Sequence, residues 1–132
     1  MTVTYHLDRL PTTEQIIDLY VSAGLARPTH DAPRIAQMYA NSNLIATAWD
    51  GEVLVGVARS LTDFCFSCFL SDLAVRAEYK HKGIGKRLVT ITKEKAGPGS
   101  ALVLRAAPEA REYYPKLGME TMVDGFLIRR AV

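Results

Sequence analysis

The pattern that most limits the fold lies between residues 43 and 75. Two strand-like runs, 43–49 and 53–60, are joined by Asp50-Gly51, and a third run, aromatic and apolar, covers 64–75. Asp-Gly between such runs is a two-residue hairpin signal, because glycine accepts the positive φ that the tight turn needs. Three consecutive strands predict a meander whose faces must be covered, and the flanking chain supplies the cover. Thr12 or Thr13, after Pro11, can cap a helix to about Ala23, with Ile16, Ile17 and Tyr20 on its apolar face and Gly24 as its stop. Asp31, with Pro33 just inside, starts a second helix that runs to about Ala40. Ile84, Leu88, Ile91 and Lys95 recur at helical spacing in a third helix, which ends at about Ala96 before Gly97-Pro98-Gly99. Residues 2–7 and 101–106 read as further strands, 108–117 as a short helix ended by Gly118, and 119–130 as one or two final strands. The order β-α-α-β-β-β-α-β-α-β-(β) predicts a mixed, mostly antiparallel central sheet flanked by helices, in the α/β (α+β) class.

At 132 residues the chain is expected to be one domain spanning 1–132. Sixteen Lys and Arg against fourteen Asp and Glu give a net charge of +2, too small to suggest a nucleic-acid or membrane-surface partner. No apolar run reaches the roughly 18–20 residues that cross a bilayer, and the N-terminus lacks a signal-peptide pattern. With only two cysteines the expected setting is a reducing cytoplasm. The charge is unevenly spread, however. Arg76, Lys80, Lys82, Lys86 and Arg87 face a single acid, Glu78, within residues 76–87.

That basic segment contains Tyr79-Lys80-His81-Lys82-Gly83-Ile84-Gly85-Lys86, placed between an apolar strand and a helix. Glycines at 83 and 85 allow a tight entry into the helix, whose first N–H groups are unpaired and carry positive partial charge. Such an end binds phosphate oxygens, and the surrounding lysines strengthen it. The spacing does not match a Walker A loop, and the third glycine of a dinucleotide fingerprint would fall at Leu88. The plainer alternative is a glycine turn with a solvated basic face.

Leu73-Ala74-Val75 followed by Tyr79 through Leu88 resembles the acetyl-CoA signature of the GNAT N-acetyltransferases, Arg/Gln-x-x-Gly-x-Gly/Ala after an apolar strand. Tyr113-Tyr114-Pro115-Lys116-Leu117-Gly118-Met119 resembles that family's Tyr-x-Lys-Leu-Gly-Phe stretch. A narrower likeness is to the plastid-type serotonin N-acetyltransferases and their small bacterial relatives. It rests on Arg27-Pro28, residues 41–47, Val55-Gly56-Val57-Ala58-Arg59 and Thr62-Asp63. The resemblance implies acetyl-CoA as cosubstrate, no metal, and direct attack on the thioester by a small amine, an arylalkylamine or another primary amine. It implies that Leu73, Ala74 and Val75 pair with the pantetheine arm, with the Val75 N–H at the thioester oxygen. Lys80, His81, Lys82, Gly83, Ile84, Gly85 and Lys86 would then hold the pyrophosphate. Tyr114 takes the position of the general acid, and Tyr113 beside it is expected to pack against the sheet. Two departures stand out: Lys80 replaces the Arg/Gln, and Ala107 replaces an Asn that often hydrogen-bonds near the pantetheine. The acceptor pocket is expected between residues 12–41 and the final strands, and a homodimer would form through those strands. The alternative to an enzyme is a catalytically silent acyl-CoA-binding or regulatory module of the same fold.

The base that would deprotonate the amine is open among Asp63, Asp72 and a water chain. Strand alternation places Asp72 on the face opposite Ser71 and Leu73. Cys65-Phe66-Ser67-Cys68 spells C-x-x-C, but a strand sends positions three apart to opposite faces, and no second pair or nearby histidine completes a zinc set. The two cysteines are read as buried small hydrophobes.

Overall fold

The computed structural model describes residues 2–132. β1 (Val3–His6), α1 (Thr13–Ala23) and α2 (Ala32–Ala40) precede the meander β2 (Leu44–Asp50), β3 (Val53–Thr62) and β4 (Ser67–Val75). α3 (Ile84–Ala96), β5 (Ala101–Leu104) and the single turn α4 (Tyr113–Lys116) follow. The strands form one sheet in chain order, antiparallel from β1 to β4 and parallel between β4 and β5. A parallel pair needs a crossover, and α3 is that crossover. The expected mixed, mostly antiparallel α/β sheet is therefore present.

Local chemistry sets the helix ends. The Thr12 hydroxyl accepts the Gln15 N–H, and the Gln15 side chain accepts the Thr12 N–H in return, so α1 opens with a capping box. The Asp31 carboxylate accepts the Arg34 N–H at 3.2 Å and opens α2. One sheet face is covered by α1 and α2, whose Ile16, Leu19, Tyr20 and Ile35 pack on Ile45, Trp49, Leu54 and Val57. The other is covered by α3, whose buried stripe is Ile84, Leu88, Thr92 and Ala96. Gly56 in β3 lets α3 lie close, since a Cβ there would stand 3.0 Å from Ile84 Cγ2 and Leu88 Cδ1. The start of α3 is thereby held down on the sheet.

Three expectations need correction. First, β4 begins at Ser67, not near Phe64. Asp63 Oδ1 accepts the N–H groups of Cys65, Phe66 and Ser67 at 3.0, 2.8 and 3.0 Å, and Phe64 takes φ 62°. A side-chain-capped turn has displaced three residues of apparent strand. Cys68 is buried in β4 as expected, but Cys65 is exposed, because the turn lifts it off the sheet.

Second, alternation along β4 breaks at Ser71. Arg59 pairs with Asp72 but Ser60 pairs with Leu70, so Ser71 has no opposite residue and forms a bulge. Leu70 faces α3, whereas Asp72 and Ala74 face α1 and α2. The Ser71 hydroxyl lies 3.3 Å from Asp72 Oδ1, so the two are not on opposite faces.

Third, residues 119–130 form no strand, and 108–117 divides into a 3₁₀ turn, Pro108–Ala110, and α4. Strand propensity describes a fit to a half-buried pleated surface, and this segment has none beneath it. Val123, Phe126 and Ile128 are more than nine-tenths exposed. The chain end is tied to α2 by the Arg34 guanidinium, which donates to the Val132 carbonyl at 3.0 Å.

Candidate active site

β5 accompanies β4 only from Ser67 to Leu70. Beyond the Ser71 bulge, Leu73, Ala74 and Val75 pair with Ala58, Val57 and Gly56 of β3 and, among the described residues, have no strand on their outer side. An open strand edge presents unpaired backbone donors and acceptors, which an extended ligand with amides of its own can meet. The edge leads directly into the glycine turn. The Arg76 N–H donates to the Val55 carbonyl at 2.8 Å, a 3₁₀ turn covers Ala77–Tyr79, and His81 and Gly83 take φ 66° and 82°. Gly83 is the N-cap of α3 and offers no side-chain cap. No side chain caps the first turn of α3, whose N–H groups carry positive partial charge.

The basic segment is less uniform than its sequence suggests. Arg76 bonds the Leu54 carbonyl at 3.0 Å and Asp18 at 2.9 Å. The Lys80 ammonium donates to the Ala23 carbonyl at 2.9 Å, closing the C-terminus of α1. Arg87 lies over the Tyr5 ring, 5.7 Å from its centroid. Tyr79 donates to the Asp50 carboxylate, and the Ala77 N–H to the Ser22 hydroxyl. Arg76, Tyr79 and Lys80 thus anchor the turn to α1 and the β2–β3 hairpin. Lys82 and Lys86 are exposed beside the uncapped helix end and bond no side chain among the described residues.

The two adjacent tyrosines diverge. Tyr113 lies over Gly85: a Cβ at that glycine would stand 2.8 Å from the Tyr113 hydroxyl and 3.8 Å from Val75 Cγ2. Burial raises the Tyr113 phenol pKa, and the neighbouring Lys86 N–H offsets part of that rise. The Tyr113 hydroxyl therefore packs on the glycine turn, next to the end of β4. The Tyr114 ring stands edge-on to it, 5.2 Å away. Tyr114 lines a cavity of about 1090 Å³ together with Phe69, Leu102, Leu104 and Met119. Burial raises its phenol pKa above the ordinary 10. Glu109, Glu112, Glu120, Arg105 and Arg111 also line this cavity, and no residue of 12–41 does. Ala107 precedes the 3₁₀ turn and supplies no side-chain cap.

Neither candidate carboxylate is poised to take a proton. The three N–H bonds to Asp63 hold its carboxyl well below the usual range. Asp72 is fully buried. Burial pushes its carboxyl up, but the hydrogen bond and charge of Arg59, then Arg27 and Tyr20, outweigh that and bring it below its ordinary value. Sequence reasoning gave Arg59 and Arg27 no role. The available signal was a charged residue inside each of two apolar strands, Arg59 and Asp72, since a buried charge demands a partner. Among the described residues no group of three His, Cys, Asp or Glu is placed to hold a metal ion, and no helix is long and apolar enough to cross a membrane.

The family model for the acetyltransferase (GNAT) domain matches residues 18–127. The chain belongs to the GNAT family. The fold of this GNAT chain is similar to that of a probable acetyltransferase of unknown function from meticillin-resistant Staphylococcus aureus. The TM-score is 0.80 at 20% identity, over 98% of this chain and 100% of that one. A GNAT-family acetyltransferase of Streptococcus pneumoniae gives a TM-score of 0.74 at 23% identity, over 98% and 99%. AAC(6')-Iy, solved with the bisubstrate analog CoA-S-monomethyl-acetylneamine, gives 0.73 at 13% identity, over the full length of both chains. No curated protein sequence matches this one significantly.

Proposed function

We propose that this GNAT domain is an acetyl-CoA-dependent N-acetyltransferase acting on a small amine. The observation that carries the reading is the continuity of the open β4 edge, Leu73 to Val75, with the uncapped start of α3 at Gly83. Acetyl-CoA supplies an activated acetyl thioester, a diphosphate, and a pantetheine arm with amides. Leu73 and Val75 turn their N–H and C=O groups outward to the arm, and Ala74 between them is held by β3. The N–H groups of Ile84 and Gly85, with the Lys82 and Lys86 ammonium groups beside them, receive the diphosphate, while the Lys86 N–H meets the Tyr113 hydroxyl and His81 shapes the turn. Lys80 contributes through its backbone, since its ammonium closes α1. The Val75 N–H is the donor for the oxygen on which charge develops, and one preorganised donor of this kind contributes about 3–4 kcal/mol.

Tyr114 is the proton donor to the departing sulfur in this reading. A phenol above 10 stays protonated at neutral pH but is a weak acid toward a thiolate whose conjugate pKa is about 8.5. The transfer is uphill by about 2 kcal/mol or more at 1.36 kcal/mol per pKa unit. The amine reacts as its free base, since Asp63 and Asp72 are engaged elsewhere. The Tyr114 cavity joins an apolar wall of Phe69, Leu102, Leu104 and Met119 to a rim of Glu109, Glu112, Glu120, Arg105 and Arg111; the wall suits the body of an arylalkylamine, and the mixed rim leaves other primary amines as the alternative. The free thiols suit a reducing cytoplasm, and the exposed Val123, Phe126 and Ile128 suit a homodimer contact. Thiol release from acetyl-CoA across a panel of arylalkylamines, polyamines, amino acids and peptides tests the reading. Release with small amines is the expected result. Tight CoA binding without release from any acceptor would mean a silent binding module instead.

A further inference from the structure

The buried carboxylate of Asp72 is held by more cations than its charge requires. It accepts the Tyr20 hydroxyl at 2.7 Å, Arg27 Nε at 2.6 Å and Arg59 Nε at 2.7 Å. Arg59 alone would neutralise it. What Arg27 adds is a second bond: its Nη2 donates to the Ser71 carbonyl at 2.8 Å. Ser71 is the bulged residue that β3 leaves without a partner. Arg59 grips the same residue from the other side, with Nη2 on the Ser71 hydroxyl at 2.9 Å. The bulge is also where β5 stops following β4 and the outer edge of residues 73–75 opens. Two guanidiniums therefore fix the one irregular residue that sets where the open edge begins.

We propose that Arg27 is a positioning residue for acyl transfer. By holding the Ser71 carbonyl and the Asp72 carboxylate together, it fixes the direction of the Leu73–Ala74–Val75 edge along which the thioester is laid. The proposal rests on the acetyltransferase reading. Arg27 lies between α1 and α2, so its planar fork ties that connection to β4. Lysine has no fork and cannot make both bonds in this geometry. Arg27 is also separable from the fold in a way that Arg59 is not. Its side chain is 28% exposed against 9% for Arg59, and without it Asp72 keeps Arg59 and Tyr20.

The test compares wild type with R27Q and R27K, scaled to folded protein. Amide hydrogen exchange at Asp72 and Ala74, whose N–H groups face β3, is expected to quicken at least tenfold in R27Q, with R27K between. CoA affinity by calorimetry should stay within about twofold, because Arg76, Tyr79 and Lys80 anchor the phosphate turn independently. With the best amine, kcat should fall about 10–100-fold, as expected for a small misalignment of reacting groups. Methylguanidinium should restore part of the R27Q loss. Unchanged exchange at Asp72 and Ala74 overturns the proposal, as does a kcat that holds while only the melting temperature drops. Should wild type bind CoA and transfer nothing, the acetyltransferase reading fails, and the exchange data still decide whether Arg27 fixes the edge.

Discussion

Asp72→Asn is the substitution that the buried cluster makes most costly. Four donors converge on the two carboxylate oxygens: the Tyr20 hydroxyl, Arg27 Nε, Arg59 Nε and the Ser71 hydroxyl. Asparagine offers one oxygen and turns an NH2 group toward donors. It also leaves the nearly buried Arg59 without a counter-charge. Breaking a buried pair in this way costs about 3–5 kcal/mol, a large part of the roughly 5–15 kcal/mol that holds a domain together. With a urea m-value of about 1.5 kcal/mol/M, the midpoint should move down by about 2–3 M. The pH dependence carries a sign. Asp72 is held below its ordinary pKa, so the folded state binds fewer protons than the unfolded state. Its contribution is complete above the unfolded value of about 3.9 and disappears as the pH falls through the folded one. Urea titrations of wild type and D72N at neutral pH and near pH 3 provide the check, and the gap should narrow in acid. A midpoint shift under about 0.5 M at neutral pH, or a gap indifferent to pH, would refute the reasoning.

Other outcomes follow from the site. Replacing both Lys82 and Lys86 with alanine should weaken CoA binding about tenfold at low salt and flatten its salt dependence, as calorimetry will register. Lys80→Ala should leave that affinity nearly unchanged and lower the melting temperature, because its ammonium closes α1. Gly85→Ala places a methyl 2.8 Å from the Tyr113 hydroxyl and should raise KM for acetyl-CoA, with Tyr113→Phe restoring part of the loss. Tyr114→Phe should lower kcat about 100-fold with little change in KM, the low end for a general acid. In wild type, kcat/KM should rise with pH along the ionisation of the amine and decline only above pH 10, since burial holds the Tyr114 phenol above its ordinary value. A plateau set by a group titrating near pH 4–6 would restore a carboxylate base.

The meander and the helices around it were legible in the sequence because they depend on periodicity and caps, which act locally. Thr12 and Asp31 cap the helices where those rules place them, and the hairpin turns one residue later than read, at Gly51-Glu52, because Asp50 pairs with Val53 as the last residue of β2. The glycine turn was legible for the same reason. What the sequence concealed depends on contacts between distant residues. Lys80 reads as a phosphate ligand until α1 presents the Ala23 carbonyl to it. Asp72 reads as a possible base until Arg27, 45 positions earlier, closes on it. The Ser71 bulge shifts the alternation that placed Asp72, and no residue type in 67–75 announces it. The turn at Asp63 was readable in principle, since Asp before an aromatic run can cap backbone N–H groups. The final segment failed in the opposite direction, where strand-like residues found no sheet edge to join.

The central claim is that one ligand spans the open β4 edge and the start of α3. Amide chemical-shift mapping of the labelled protein during titration with CoA tests it directly. The account predicts saturable shifts concentrated at Leu73, Ala74 and Val75 and at Lys82 through Lys86, with β1 and its contact with Arg87 unaffected. Saturable shifts confined to the groove lined by Tyr5, Arg87 and Lys95, or none that saturate, would contradict it.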